Sequence, residues 1–207
     1  MSIIDPVASF RAPKARGPAM LRGFAWFAAL RRQLPEWYRS SPRSEANPRP
    51  WPLRLDPART PVFVHNEIFI EAPEAKVFAL LTGGEWPRFY PNGERVQIPV
   101  GRDGRKTLGL GTEFQFTTFG LIQKSQVYEY EENRSLAWRA ESSGGGLAIH
   151  AFHRWLLLPD GNGTRVITEE IQTGPGAYLG RWLCNSINTS LHASHQLWLE
   201  GLKRAAE

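Results

Sequence analysis

The residues of this chain best suited to chemistry sit in one hairpin, FHRWLLLPDGNGTRVITEEIQTG, from Phe152 to Gly174. Asp160-Gly161-Asn162-Gly163 is a strong turn signal, so the flanking segments read as antiparallel strands of period two. Ala151, His153, Trp155 and Leu157 then share one face, and Thr168, Glu170 and Gln172 share one face of the partner strand. A histidine and a carboxylate close across a hairpin can take a proton from carbon beside a carbonyl and return one to an oxygen. Aldol cyclisation and dehydration need both transfers. Burial would raise the carboxyl pKa, and a protonated imidazole would lower it. Both strands are apolar on two sides, so parity alone does not say which face is internal. The competing reading has each residue capping a rim hydrogen bond or pairing outside with Arg154 or Arg165.

Other constellations are weaker. His192 and His195 have the i, i+3 spacing of a metal pair, but a helical wheel turns His192 to water and no third ligand is evident. His150 and His153 point to opposite faces of a strand. The expectation is therefore no metal and no organic cofactor. GRDGRKTLGLG lacks the spacing of a phosphate loop, and no G-x-S-x-G or supported Cys–His pair is present. The single cysteine, Cys184, excludes an internal disulfide and fits a reducing compartment; its helical setting favours inert packing. The N-x-S/T matches at Asn133, Asn162 and Asn188 read as coincidence without a secretion signal.

The elements that must position the hairpin follow from pattern. The 207 residues suit one domain with an appendage or two small domains, and 42% hydrophobic content supports a core. Formal charge is +5, but Pro6 to Pro35 holds no acidic residue while Arg11, Lys14, Arg16, Arg22, Arg31 and Arg32 are basic. The basic excess thus belongs to an arm, 1–61. No aromatic-basic run resembles a nucleic-acid motif. Met20, Phe24, Phe27, Leu30 and Leu34 recur at helical spacing, with Arg22, Ala25 and Ala29 on the other side. A Pro- and Arg-rich tether from Ser40 to Pro61 follows. The arm has three open readings: packing on the domain or a neighbouring subunit, peripheral attachment to an anionic membrane, or organelle targeting. FAWFAAL is too short to span a bilayer, which takes roughly 20 residues, and the expected location is cytoplasmic.

From Val62 to Glu207 the order is strand (VFVHNEIFI), short helix (APEAKVFALLTGG), an aromatic turn (EWPRFYPNG), then strands near 95–100, 111–118, 121–130, 135–141, 147–158 and 164–173. After Gly174-Pro175-Gly176 a long helix is expected to the end. Leu179, Leu183, Ile187, Leu191, Leu197, Trp198 and Leu202 share its broad apolar face, with Ser190 and Ser194 inside that face, and Arg181, Asn185, His192 and Lys203 fall opposite. One long helix with one apolar face, set on one sheet, is buried only if the sheet wraps round it. Such a wrap leaves a hollow.

The stretches VFVHNEIFIEAPEAKVFALLTGGEWPRFYPN, LGLGTEF, VYEYEENRSLAW, HRWLLLPDGNGTRVITEE and LHASHQLWLEGLKRAAE, in that order over 62–207, resemble the SRPBCC or START-like superfamily, nearest its polyketide cyclase/dehydrase-like group. The resemblance implies an α+β helix-grip fold, a curved antiparallel sheet wrapped around the C-terminal helix with an internal apolar cavity. It favours the Trp155 and Glu170 faces as internal, which would put His153 and Glu170 in the cavity as candidate acid–base groups. It also places the Trp86, Phe89 and Tyr90 segment near the mouth as a candidate gate. Phe114, Phe116, Leu136, Trp138, Trp155 and Gln172 would form wall, and Tyr128 or Tyr130 would offer a phenol. Ile187, Ser190, Leu191, Ser194 and His195 would contribute from the helix. The fold hosts many activities and no catalytic residue transfers by position. The leading expectation is binding of a hydrophobic small molecule (lipid, polyketide or aromatic metabolite). The alternative is a cofactor-independent cyclase or dehydratase, and a third reading has the arm anchor an interaction protein to a membrane or partner.

Overall fold

The computed structural model describes residues 9–14, 19–34, 50–52, 55–101, 104–144, 146–183 and 187–207. Cys184, Asn185 and the tether's residues 40–49 and 53–54 lie outside the described residues. Seven strands form one antiparallel sheet: β1 (Val62–Ile70), β2 (Glu94–Gln97), β3 (Glu113–Thr118), β4 (Leu121–Glu131), β5 (Ser135–Gly144), β6 (Leu147–Asp160) and β7 (Gly163–Thr173), in spatial order β1-β7-β6-β5-β4-β3-β2. Among the described residues the helices with stated bounds are α1 (Ala19–Gln33), α2 (Glu74–Thr82), α3 (Pro175–Leu183) and α4 (Ile187–Ala206), with a 3₁₀ turn at Trp86–Arg88. The expected long terminal helix is thus described as two helical segments, α3 lying against β6 and β7 and α4 along β1.

The strands bend because they are long, twisted and locally out of register. Register shifts occur between Val127 and Glu129 and between Glu94 and Gln97. A two-residue link, Phe119-Gly120, joins the pair Thr118↔Leu121. Both residues have positive φ (50° and 72°), the demand of a two-residue hairpin turn. For a phenylalanine that conformation is strained, and its surroundings hold it. The Phe119 N–H donates to Asn92 Oδ1 (2.9 Å), and its ring stacks on Phe27 of α1 at 5.0 Å.

Helix α4 spans about 30 Å and lies along β1 while touching α1, α2 and α3. Its apolar side enters a core of Trp86, Trp138, Trp155, Leu157, Trp198 and Leu202 with α2's Val77, Phe78 and Leu81. Close approach depends on one residue: a Cβ at Gly201 would overlap the Phe89 carbonyl oxygen.

Three expectations about faces are corrected. Helix α1 buries Trp26, Ala29 and Leu30, with Phe27 only half-buried, so Ala29 is not on its outer side. These residues join Leu34 in a second core with Val62, Val64, Phe119, Leu191 and Leu197, and α1 therefore packs on the domain. His192 does not face water: it is 3% exposed, its Nδ1 3.1 Å from the His65 carbonyl oxygen, with Asn66 donating to its own carbonyl. Leu179 and Leu183 of α3 are exposed rather than internal, though both border the cavity. The convex side of β6 is also buried. Trp51 lies edge-on to Phe63 and Phe152, and Arg154 stacks over Trp51 while donating to the Pro50 carbonyl. That is why both faces of the hairpin look apolar in sequence.

Candidate functional site

Between the sheet and α4 lies a cavity of about 180 Å³. Its wall is mostly apolar: Phe116, Trp138, Ala140 and Ala151 from the sheet, Leu191 and Trp198 from α4, and Phe27 from α1. Among the described residues its carboxylate and imidazole side chains are three, His153, Glu170 and His195, each at least nine-tenths buried.

The hairpin register sets the first two. His153 on β6 pairs directly with Glu170 on β7, and His153 Nδ1 lies 3.2 Å from Glu170 Oε2. The third comes from α4, with His195 Nε2 3.3 Å from the same oxygen. The two imidazoles stack at 4.6 Å and 18°. Trp138 (4.7 Å) and Trp155 (5.2 Å) crowd His153. The remaining atoms are also held: His153 Nε2 lies 2.7 Å from Thr168 Oγ1, and Gln172 Nε2 donates to Glu170 Oε1 at 2.6 Å.

Protonation follows from this packing. Burial, and then the neighbouring His195, push His153 down to about 3 against the opposing pull of Glu170. It is neutral near pH 7. For Glu170, burial acts upward but is outweighed by the His195 contact, the His153 and His195 charges and the Gln172 amide, leaving the carboxyl below its ordinary value. An ionised carboxylate beside neutral imidazole is a base with a proton relay attached.

A second polar group closes one side. The Tyr90 hydroxyl sits 2.8 Å from Ser194 Oγ, which also accepts from Asn92 Nδ2 (2.9 Å), and the Tyr90 ring lies flat on Trp198 at 4.2 Å and 6°. Burial drives the Tyr90 phenol up to about 12, so it stays a neutral donor.

Of the residues expected at the site, Tyr90, Phe116, Trp138, His153, Glu170, Gln172, Ile187, Leu191 and His195 line the cavity. Trp86, Phe114, Leu136 and Trp155 are core instead, and Phe89 packs against that core from the turn. Ser190 is buried with its hydroxyl unpartnered among the described residues, and Ser194 acts through Tyr90 and Asn92. Within the Trp86–Tyr90 segment, Trp86 stacks on Trp138 (5.6 Å, 20°) in the interior, and Tyr90 borders the cavity. Tyr128 and Tyr130 stand on the outside, Tyr128 under Arg139. The cover over the cavity is one that residue patterns did not indicate, namely Gly23 and Phe27 of α1. Arg22 of the same helix donates to the Gly120 carbonyl at 2.9 Å.

The family model described as polyketide cyclase / dehydrase and lipid transport matches residues 61–207. Among solved structures, the hypothetical protein jhp0584 from Helicobacter pylori is 28% identical with a TM-score of 0.69, covering 80% of this chain and 100% of that one. TTHA0849 from Thermus thermophilus is 20% identical with a TM-score of 0.54, covering 70% and 96%. The di-domain ARO/CYC BexL from the BE-7585A biosynthetic pathway is 17% identical with a TM-score of 0.50, covering 69% of this chain and 45% of its own. The last two likenesses concern the fold alone. No curated protein matches this sequence.

Proposed function

The chain belongs to the polyketide cyclase / dehydrase and lipid transport family, and from that premise we propose that it binds a hydrophobic small molecule in the cavity between the sheet and α4. One observation carries this reading: an apolar hollow whose carboxylate and imidazole groups are gathered in a single cluster. Apolar walls take the body of a ligand, and a few convergent polar groups orient it. The ligand would be a hydrophobe bearing a carbonyl or hydroxyl oxygen that meets the His153–Glu170–His195 cluster. Size narrows the class. A cavity of about 180 Å³ is near the ~150 Å³ that admits benzene and below the ~300–1,000 Å³ of drug-sized sites. A single ring or short acyl chain fits the closed form, and a multi-ring molecule needs α1 displaced.

Native mass spectrometry of freshly purified full-length protein tests the reading. Retention of a small apolar compound is expected, as is quenching of tryptophan fluorescence by monocyclic aromatic ketones through Trp138 and Trp198. Absence of both would refute it.

The facing of His153 and Glu170 favours a second reading, cofactor-independent cyclisation or dehydration. Glu170 would take the proton from carbon beside a carbonyl, becoming a neutral acid, and that proton would return, through the adjoining His153 imidazole, to the developing oxyanion or departing hydroxide. Glu170→Gln is isosteric, so it should abolish turnover while leaving ligand retention intact.

A further inference from the structure

The distances inside the cluster fit one arrangement poorly and another well. Charge-assisted N–H···O contacts settle at about 2.7–2.9 Å, yet Glu170 Oε2 stands 3.2 Å from His153 Nδ1 and 3.3 Å from His195 Nε2. Two ligands at a tetrahedral angle around an ion with bonds of about 2.0–2.1 Å lie about 3.3–3.4 Å apart. One donor atom from each of His153, Glu170 and His195 falls within 4.8 Å of the others, and all three side chains are buried. Two imidazoles and one carboxylate are a donor set for first-row transition metals and a poor one for magnesium or calcium.

We propose that His153, Glu170 and His195 bind one divalent first-row transition-metal ion, with a further coordination position open to the cavity. The supporting shell is already built. Thr168 Oγ1 fixes the far nitrogen of His153, and Gln172 Nε2 holds the far oxygen of Glu170, the outer contacts that orient metal ligands. The two rings lie nearly parallel. His153 is held by Thr168, so a turn of the His195 imidazole, whose Nδ1 has no partner among the described residues, is the local change the ion would induce.

The site goes beyond ligand binding and alters its meaning. With an ion bound, Glu170 Oε2 is a ligand instead of a free base, and the open position receives an oxygen of the cavity's occupant. Metal uptake and retention of an organic ligand are separate measurements, so either reading can fail alone.

The test uses full-length protein dialysed against chelator and titrated with Co²⁺, then Zn²⁺. One equivalent of Co²⁺ with visible d–d bands of a low-coordinate N/O site is expected, displaced by Zn²⁺, with no uptake of Mg²⁺. Glu170→Gln and His195→Asn, checked for folding by circular dichroism, should each lose the bands. Thr168→Val removes no ligand and should weaken Co²⁺ affinity about 10–100-fold. No bands in the native chain, or native affinity in folded Glu170→Gln, would overturn the proposal. Should the ligand variants not fold, unchanged affinity in Thr168→Val overturns it.

Discussion

One carboxylate oxygen shared by two buried imidazoles makes this protein sensitive to acid. Burial first of all holds His153 at about 3 and His192 at about 4, both below the ordinary 6.5. Glu170 too is held below its usual value. All three therefore take up protons more readily when the chain is unfolded, and by linkage each group weakens the fold as pH falls. The histidine contributions are fully present above pH about 6.5 and are lost progressively toward pH 3–4, while that of Glu170 is lost below its ordinary range. The melting temperature should be flat above neutrality and decline from pH about 6.5 to about 4, with a shallower decline in His153→Gln. A flat profile across that window in the native chain would contradict this burial account. Residue patterns made the His153–Glu170 pairing legible, because the Gly161-Asn162 turn fixes register and register fixes the opposite partner. They could not show His195 closing on the same oxygen, since that contact depends on where α4 lies across the sheet. The wheel misplaced His192 for a related reason: its face of α4 meets β1 at Asn66 and the His65 carbonyl, and a wheel knows only polarity.

Among the elements, α4 is the one whose placement decides the site, because it brings His195, Ser194 and Trp198 to the cavity side together. The glycine at 201 sets that placement. Its Cα faces the Phe89 carbonyl so closely that no Cβ fits, and the backbone of the 3₁₀ turn cannot swing aside as a side chain could. Gly201→Ala should destabilise the fold by roughly 1–3 kcal/mol as α4 is forced off Phe89, despite alanine's better helix propensity. Chemical denaturation measures this, and a gain in stability would show that the turn yields freely. The displacement should also loosen Tyr90, which is pinned between Trp198 and Ser194, and so widen the cavity. The order of strands and the presence of a terminal helix were readable from periodicity and turn signals, whereas the all-round burial of Ser190 to His195 and the exposure of Leu179 and Leu183 were not. The inward face of α1 was misplaced: Trp26, Ala29, Leu30 and Leu34 share the buried side, turned from the side that Phe27 marks, and only the surface beneath the helix selects between two apolar sides. The strap at Trp51 similarly hides in a proline-rich stretch whose packing onto Phe63 and Phe152 carries no periodic signal.

At the scale of the whole molecule, the question is whether the basic arm is a separate attachment or part of the ligand-binding body. Among the described residues no helix is long and apolar enough to cross a membrane, and a surface-lying helix would need a free apolar face. Helix α1 has committed Trp26, Ala29 and Leu30 to Val62, Val64, Leu191 and Leu197, while its exposed Arg31 and Arg32 lie in the last turn, where cations suit the helix dipole. Burial of a large apolar side chain contributes about 1.5–3 kcal/mol, so three or four of them make the arm a stabilising component of several kcal/mol. Removing residues 1–40 should accordingly lower the melting temperature, raise binding of a hydrophobic dye to the uncovered Val62–Phe119–Leu191 surface, and speed release of any bound ligand, because Gly23 and Phe27 leave the cavity wall. An arm that only tethers the domain to a membrane or partner predicts the reverse: unchanged melting and unchanged release, with the association alone lost. The point substitution Phe27→Ala separates the two roles of the helix. It keeps Trp26 and Leu30 buried but strips the ring stacked on Phe119, and it should therefore accelerate ligand exchange with a smaller loss of stability than truncation.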